Sequence, residues 1–243
     1  MYLKHTFSAI IPVYNEAIRL RKVLNAALNS QLLDEVIVIN DGSTDDSQKV
    51  LLPYATKIRL ISLPQNSGKA KAVFTGIKSA QSEYIFLIDA DLIGLKPAHI
   101  DYSIKYFTSH RLDMVLIQTA AHWSKDIKLA LLGEDIIITG QRIINKSLLP
   151  KKVPNNKMGF GLELYLNNLA LKKKWLVGAI FWPRKKLIAT PSKFHKNGLA
   201  KGVDGYINML KEMSEAGTLS DYLKHYQKYV IKHRLQYVLD KII

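Results

Sequence analysis

Two aspartates separated by one small residue, Asp89-Ala90-Asp91, close the apolar run Tyr84-Ile85-Phe86-Leu87-Ile88. Paired hard oxygen ligands of this kind suit Mg²⁺ or Mn²⁺, ions that keep their other positions for water and phosphate. The run itself reads as a strand buried on both faces, and in an open α/β sheet the ligand crevice lies beyond the carboxyl ends of the strands. Extended periodicity points Asp89 and Asp91 the same way, and Ala90 leaves room for a ligand between them. A capping aspartate followed by a turn would produce the same three letters, so the meaning of the pair rests on its company.

That company is polar and recurs at the expected strand ends. Lys69 follows Gly68 where a helical pattern begins, so its ammonium, the free backbone N–H groups and the helix dipole all favour an anion. The cluster Asp41-Gly42-Ser43-Thr44-Asp45-Asp46 combines a glycine turn with helix-capping side chains, and Asp41 is expected in an exposed turn. Ser43 serves there as a cap or as a ligand. Glu16 stands where it either charges a helix N-terminus or accepts from hydroxyl and N–H donors.

The elements that must hold these groups follow from hydrophobic periodicity. Phe7-Ser8-Ala9-Ile10-Ile11-Pro12-Val13 is a strand whose ladder Pro12 limits. Tyr14-Asn15-Glu16 opens an amphipathic helix with Ile18, Val23, Leu24 and Leu28 facing inward. Strands are expected at 35–40, 58–61 and 84–88, with helices running through Val50 and from about Lys69 to Ile77. This βαβαβαβ order implies a mostly parallel sheet with right-handed crossovers. A helix near 97–107 and a strand at 113–117 continue it. The pattern is then helical from about Lys125 to Leu148, interrupted by Gly133 and Gly140. A basic loop (151–157), a helix opening at Gly159-Phe160-Gly161 and carrying Glu163, and a strand at 175–182 come next. The stretch from Lys201 to Ile243 reads as helix throughout. The simplest division is an α/β domain over 1–198 with a helical extension over 199–243.

Composition narrows the classes. At 243 residues and 48% hydrophobic content, the chain can bury a substantial core. It contains no cysteine, which excludes disulfides and thiolate metal sites. No run reaches the length of a membrane span and no leader is visible, so a cytoplasmic location is expected. The formal net charge of +15 calls for an anionic partner: phosphorylated substrates, lipid headgroups or nucleic acid. Nucleic acid is not expected, because RNA binding would want exposed aromatic platforms within the basic patches.

Four stretches standing in order, Ile10-Ile11-Pro12-Val13-Tyr14-Asn15-Glu16, Val38-Ile39-Asn40-Asp41-Gly42-Ser43-Thr44-Asp45, Asn66-Ser67-Gly68-Lys69 and Asp89-Ala90-Asp91, together resemble family 2 glycosyltransferases of the GT-A fold. Within that family the chain is most similar to the polyprenyl-phosphate glycosyltransferases, the group of dolichyl-phosphate mannose synthase. Gly140-Gln141-Arg142 and Gly159-Phe160-Gly161-Leu162-Glu163 resemble the group's acceptor-side segments. The resemblance implies a metal-dependent hexosyltransferase with a Rossmann-like, mostly parallel sheet flanked by helices, using a UDP- or GDP-sugar. It implies a donor site formed by Pro12, Tyr14, Asn15, Glu16, Asp41, Ser43, Lys69, Asp89, Ala90 and Asp91, with Glu16 and Asp41 toward base and ribose. Asp91, Asp89 and His195 become the metal ligands, His195 being equally readable as a surface histidine.

The acceptor decides what else is needed. A sugar hydroxyl requires a carboxylate base such as Asp135 or Glu163, whereas a polyprenyl phosphate is already ionised and needs cations to hold it. Arg142 could clamp that phosphate in a bidentate fork, or be only a surface helix residue. With a lipid acceptor, the enzyme would sit peripherally on the anionic inner face of the cytoplasmic membrane. Lys224, Lys228, Lys232 and Arg234 would then lie on an amphipathic tail. The alternatives are a transferase using a soluble acceptor, including a retaining relative of glucosyl-3-phosphoglycerate synthase, or a non-catalytic nucleotide-sugar-binding protein.

Overall fold

A computed structural model describes residues 5–119, 139–151 and 161–182. Its first part alternates as the periodicity predicts: β1 (Phe7–Val13), α1 (Ala17–Leu28), β2 (Glu35–Asp41), α2 (Ser47–Leu51), β3 (Arg59–Leu63), α3 (Lys69–Ser79) and β4 (Tyr84–Leu87). There follow α4 (Pro97–Ser109), β5 (Met114–Thr119), β6 (Arg142–Asn145), α5 (Gly161–Lys172) and β7 (Val177–Trp182). The strands form one sheet in the order β3-β2-β1-β4-β6-β5-β7. Among the described strands β6 alone runs against the rest, pairing antiparallel with both β4 and β5.

Alternation along β1 and β2 divides the core into two layers. Phe7, Ala9, Ile11, Val36 and Val38 face α1 and α4, whereas Ile10, Ile37 and Ile39 face α3. Successive side chains of a strand point to opposite faces, so a strand apolar at every position must be covered on both sides. The four parallel strands β1 to β4 therefore end side by side at one rim, and the loops leaving them gather there.

Two expectations are corrected. Ile18 does not face inward; it is 89% exposed, and α1 buries Leu20, Val23, Leu24 and Ala27 instead. Those positions share the i, i+3, i+4 stripe, and Ile18 lies two residues before its start, on the opposite side. The helical pattern expected through Leu148 is also wrong at its end, where residues 142–145 are β6 and 146–148 a 3₁₀ turn. Register decides this: Phe86 pairs with Ile143 and Leu87 with Arg142, partners more than fifty positions away that no local window contains. His195, Asp135, residues 152–157 and the stretch from Lys201 onward lie outside the described residues.

The far side of the sheet holds a titrating group. Trp182, fully buried, stacks on the His99 ring at 5.8 Å and donates from Nε1 to Ser103 Oγ at 2.8 Å. The Lys96 N–H donates to His99 Nδ1 at 3.2 Å, which requires that nitrogen unprotonated. Burial first, and the Lys96 charge second, hold His99 below the ordinary histidine value. As pH falls the unfolded chain takes up this proton before the folded one, so stability declines below about pH 6.5. The decline is at most about 1.4 kcal/mol per pH unit for one proton. Urea titrations between pH 7.5 and 5.5 should show this slope in the wild type and a shallower one in His99→Gln; equal slopes would discount the ring.

Candidate active site

The loops at the β1–β4 rim are stitched to one another by their own side chains. Asn15, held at φ 55°, accepts the Thr44 N–H on Oδ1 at 2.8 Å and donates its own N–H to Ser43 Oγ at 3.1 Å. The Glu16 N–H donates to Ser47 Oγ at 2.9 Å, and Ala17 N–H to Asp45 Oδ2 at 3.1 Å. Burial pushes Asp45 upward, but the Ser47 and Ala17 hydrogen bonds outweigh it and the carboxyl stays below its usual range. Asn15, Ser43 and Asp45 thus lock the turn after β1 to the turn after β2. Tyr14, 38% exposed, stands beside this lock, while Glu16 is buried and pairs with Arg19 at 3.2 Å.

Asp41 does not occupy the exposed turn expected of it. It is 3% exposed, and its two oxygens accept the Ser67 and Gly68 N–H groups at 2.8 and 2.9 Å. The next residue, Gly42, has φ +65° and lies against the Gln65–Asn66 backbone, where a Cβ would come within 2.6 Å of the Asn66 nitrogen. Only glycine fits that approach. The reason for the correction is tertiary: the β3–α3 loop folds over the end of β2 and covers Asp41, using its carboxylate as the acceptor for two otherwise unpaired donors.

This brace sets the start of α3 and hence Lys69. The Lys69 ammonium lies 2.8 Å from Asp89 Oδ1 and 2.8 Å from Glu163 Oε1. Burial alone would depress a lysine; the charges of Asp89 and Glu163, with their hydrogen bonds, outweigh it and hold Lys69 well above its ordinary value. Lys69 is therefore a permanent cation at neutral pH. Around it, Pro12, Leu87, Gly140, Leu162 and Leu166 line a narrow crevice that also receives Asp89 and Glu163.

Asp89 lies just beyond the end of β4 and is half-buried. Ala90 and Asp91 already form a turn, so the period-two argument does not govern Asp91, which is half-buried. Ala90 packs into the core at 4% exposure, so its methyl group does not line an open ligand space. Arg142 corrects the phosphate-clamp expectation. It is a fully buried strand residue whose guanidinium donates to Glu163 O at 3.3 Å, to Asn167 Oδ1 at 3.1 Å and to Thr139 O. Pairing in β6 turns this side chain under α5, where it holds the main-chain carbonyl of Glu163 and the Asn167 amide and lines the floor of the same crevice. Glu163 is buried; Oε1 meets Lys69 and Oε2 has no hydrogen-bond partner among the described residues.

The fold adds Asn167, and it gives Gln141, so far only part of the acceptor-side resemblance, a contact with Asp89. Asn167, fully buried, stands one turn after Glu163, and a polar pair at i, i+4 on the apolar α5 was a legible sign of a shared inward face. Gln141 donates from Nε2 to Asp89 Oδ2 at 2.6 Å, and nothing short of the fold reveals that contact. No group of three or more His, Asp or Glu side chains gathers among the described residues.

Comparison with known proteins agrees with this architecture. The sequence model of glycosyl transferase family 2 matches residues 8–159. A dolichyl-phosphate beta-glucosyltransferase of Trichomonas vaginalis is 31% identical over 129 residues, covering 46% of this chain and 38% of that protein. The mouse dolichyl-phosphate beta-glucosyltransferase is 41% identical over 98 residues, covering 35% and 30%. The matched stretch spans about a third of the length of these curated relatives. Among solved structures, glucosyl-3-phosphoglycerate synthase from Mycobacterium tuberculosis, crystallised with Mn²⁺, UDP and glucosyl-3-phosphoglycerate, superposes with a TM-score of 0.61 at 19% identity, over 84% of this chain and 79% of that one. Residues 1–349 of S. aureus TarS give a TM-score of 0.60 at 21% identity, over 78% and 62%. These structural likenesses establish the expected GT-A architecture.

Proposed function

The chain belongs to glycosyl transferase family 2, and from that premise we propose that it moves a hexose from a nucleoside-diphosphate sugar to a polyprenyl phosphate. The observation that carries the donor half is Lys69, a permanent cation at the N-terminus of α3, beside Asp89 at the exit of β4. Ammonium, free helix N–H groups and dipole converge where a diphosphate would lie. The acceptor half rests on the dolichyl-phosphate relatives and on the net charge of +15. UDP is favoured as the nucleotide because solved neighbours carry it.

The donor set suits a divalent cation. Asp89 and Asp91 offer hard oxygens on either side of one residue, and Mg²⁺ or Mn²⁺ characteristically takes one or two carboxylates with water and substrate phosphate. Asp89 already accepts from Lys69 and Gln141; Asp91, half-buried in the turn after β4, would give a second carboxylate oxygen to the metal. Bound there, the cation would neutralise the departing nucleoside diphosphate. In the transfer, an ionised phosphate oxygen of the acceptor forms the bond to the anomeric carbon. The bond to the diphosphate breaks, and its electron pair stays on the nucleotide. An already ionised phosphate needs no protein base. Lys69, kept protonated by Asp89 and Glu163, compensates the charge that accumulates on the leaving group.

Among the described residues no helix is long and apolar enough to cross a membrane. The basic surface would contribute to reaching a lipid acceptor, with each lysine or arginine near an anionic leaflet adding about 1 kcal/mol, screened by salt. The test uses UDP-glucose labelled in the sugar, vesicles carrying polyprenyl phosphate, and Mn²⁺. Label should enter an organic-extractable, mild-acid-labile product. Asp91→Ala should lower that rate roughly a hundredfold, the scale of losing one preorganised electrostatic stabiliser. Label confined to a water-soluble glycoside, with no salt-sensitive flotation on anionic vesicles, would transfer the assignment to a soluble acceptor.

A further inference from the structure

The strand that interrupts the parallel order does more than complete the sheet. The chain enters β6 through Thr139-Gly140-Gln141, and this short approach runs directly behind the Asp89–Lys69 pair. Gly140 is the wall: a Cβ there would fall within 2.7 Å of Lys69 Nζ and would collide with both oxygens of Asp89. Gln141 is tied to β5 by its carbonyl, which accepts the Ile117 N–H at 3.0 Å. The Thr139 hydroxyl sits 2.6 Å from Ile117 O and 3.0 Å from Gln141 Oε1. Gln141 is 5% exposed, and its side chain is directed at Asp89.

We propose that Gln141 is a positioning residue of the transferase site, holding the Asp89 carboxylate through Oδ2 while Oδ1 faces Lys69. The assignment rests on the donor reading given above and extends it to a residue outside the first three strand-end loops. The amide orientation is dictated by the carboxylate. Turned over, Gln141 Oε1 would oppose Asp89 Oδ2 at hydrogen-bond distance with no proton between them. The chemistry explains why an amide stands here and not a second cation. A neutral N–H fixes the rotamer of Asp89 without cancelling its charge, so the pull on Lys69 is preserved. When the ammonium turns from Asp89 toward a bound diphosphate, its hold on the carboxylate is lost. The Gln141 bond does not depend on Lys69, and it keeps Asp89 from following Lys69 into the anion's place.

The test measures binding of UDP with Mn²⁺ by calorimetry, beside thermal unfolding, for wild type, Gln141→Met, Gln141→Glu, Asp89→Asn and the Gln141→Met/Asp89→Asn double variant. Methionine keeps the length and volume of glutamine and removes the donor; glutamate keeps the shape and sets a second carboxylate against Asp89. Gln141→Met should weaken affinity about tenfold, the usual scale for losing a partner behind a ligand-binding carboxylate. Gln141→Glu should weaken it further, and its result stands alone if the methionine protein does not fold. Because Gln141 acts through Asp89, its loss should change little in the Asp89→Asn background. In turnover, kcat should fall while the KM for the lipid acceptor holds. Wild-type affinity in a folded Gln141→Met, or penalties that simply add in the double variant, would overturn the assignment alone. A wild type that binds no UDP would overturn the donor reading and this assignment with it.

Discussion

Replacing Lys69 with methionine is expected to cost about 2–3 kcal/mol of stability at neutral pH and to weaken binding of a nucleoside diphosphate about ten- to a hundredfold. The stability loss arises from what is left behind. Glu163 keeps 5% of its side chain exposed, its Oε1 loses the ammonium, and its Oε2 has no partner among the described residues. Removing one member of a buried ion pair typically costs about 3–5 kcal/mol, and the figure is reduced here because Lys69 is itself about a third exposed. The affinity loss is that of hydrogen bonds from a charged donor to the diphosphate. The pH window follows from the sign. A lysine held above its unfolded value contributes fully below about pH 10.4, so its stabilisation is constant through neutrality and fades only in strong alkali. The control is Lys69→Met/Glu163→Gln, which removes both charges. Denaturant unfolding should show most of the stability restored, while the affinity for UDP stays low. Unrestored stability would mean that Lys69 supports the fold by packing and not by neutralising Glu163.

Asp41→Ala should lower the melting temperature by about 5–12 °C, corresponding to about 2–4 kcal/mol in a chain of this size. Two backbone donors, Ser67 N–H and Gly68 N–H, lose their acceptor where the loop is packed against Gly42. An unsatisfied buried donor costs about 1–3 kcal/mol, partly recovered if water enters. Asp41→Asn retains one accepting oxygen and should fall between alanine and wild type. Nucleotide affinity should drop together with stability, since Lys69 begins the helix that this loop positions. Differential scanning calorimetry with and without UDP separates the two effects. An alanine variant that melts like wild type yet binds donor poorly would favour the direct ligand role that the family resemblance implies over the bracing role.

Much of this molecule could be read from its letters. Apolar runs of strand length, separated by helical stripes and ending in Asn, Asp, Gly and Lys, dictate parallel strands with polar turns at a common rim. The information is local, because period and turn chemistry act within a few residues. For the same reason Lys69 and Asp89 can each be placed at that rim from their own helix or strand end. Composition excludes thiol chemistry, and the net charge of +15 directs the expectation toward an anionic partner. The contacts between those ends were decided only by the tertiary structure. Asp41 looks exposed from its local sequence because its covering, the loop at residues 65–68, belongs to another βα unit. Arg142 reads by its local pattern as a phosphate clamp or a surface helix residue, yet pairing with Leu87 makes it a strand residue whose guanidinium lies under α5. Glu163 gained its cation from a helix 94 positions earlier, and Asp89 gained its amide from 52 positions later. Such charged and polar groups have no periodicity of their own. Their partners are selected by the desolvation cost of leaving them unpaired once the sheet has closed over them, and that cost exists only in the folded protein.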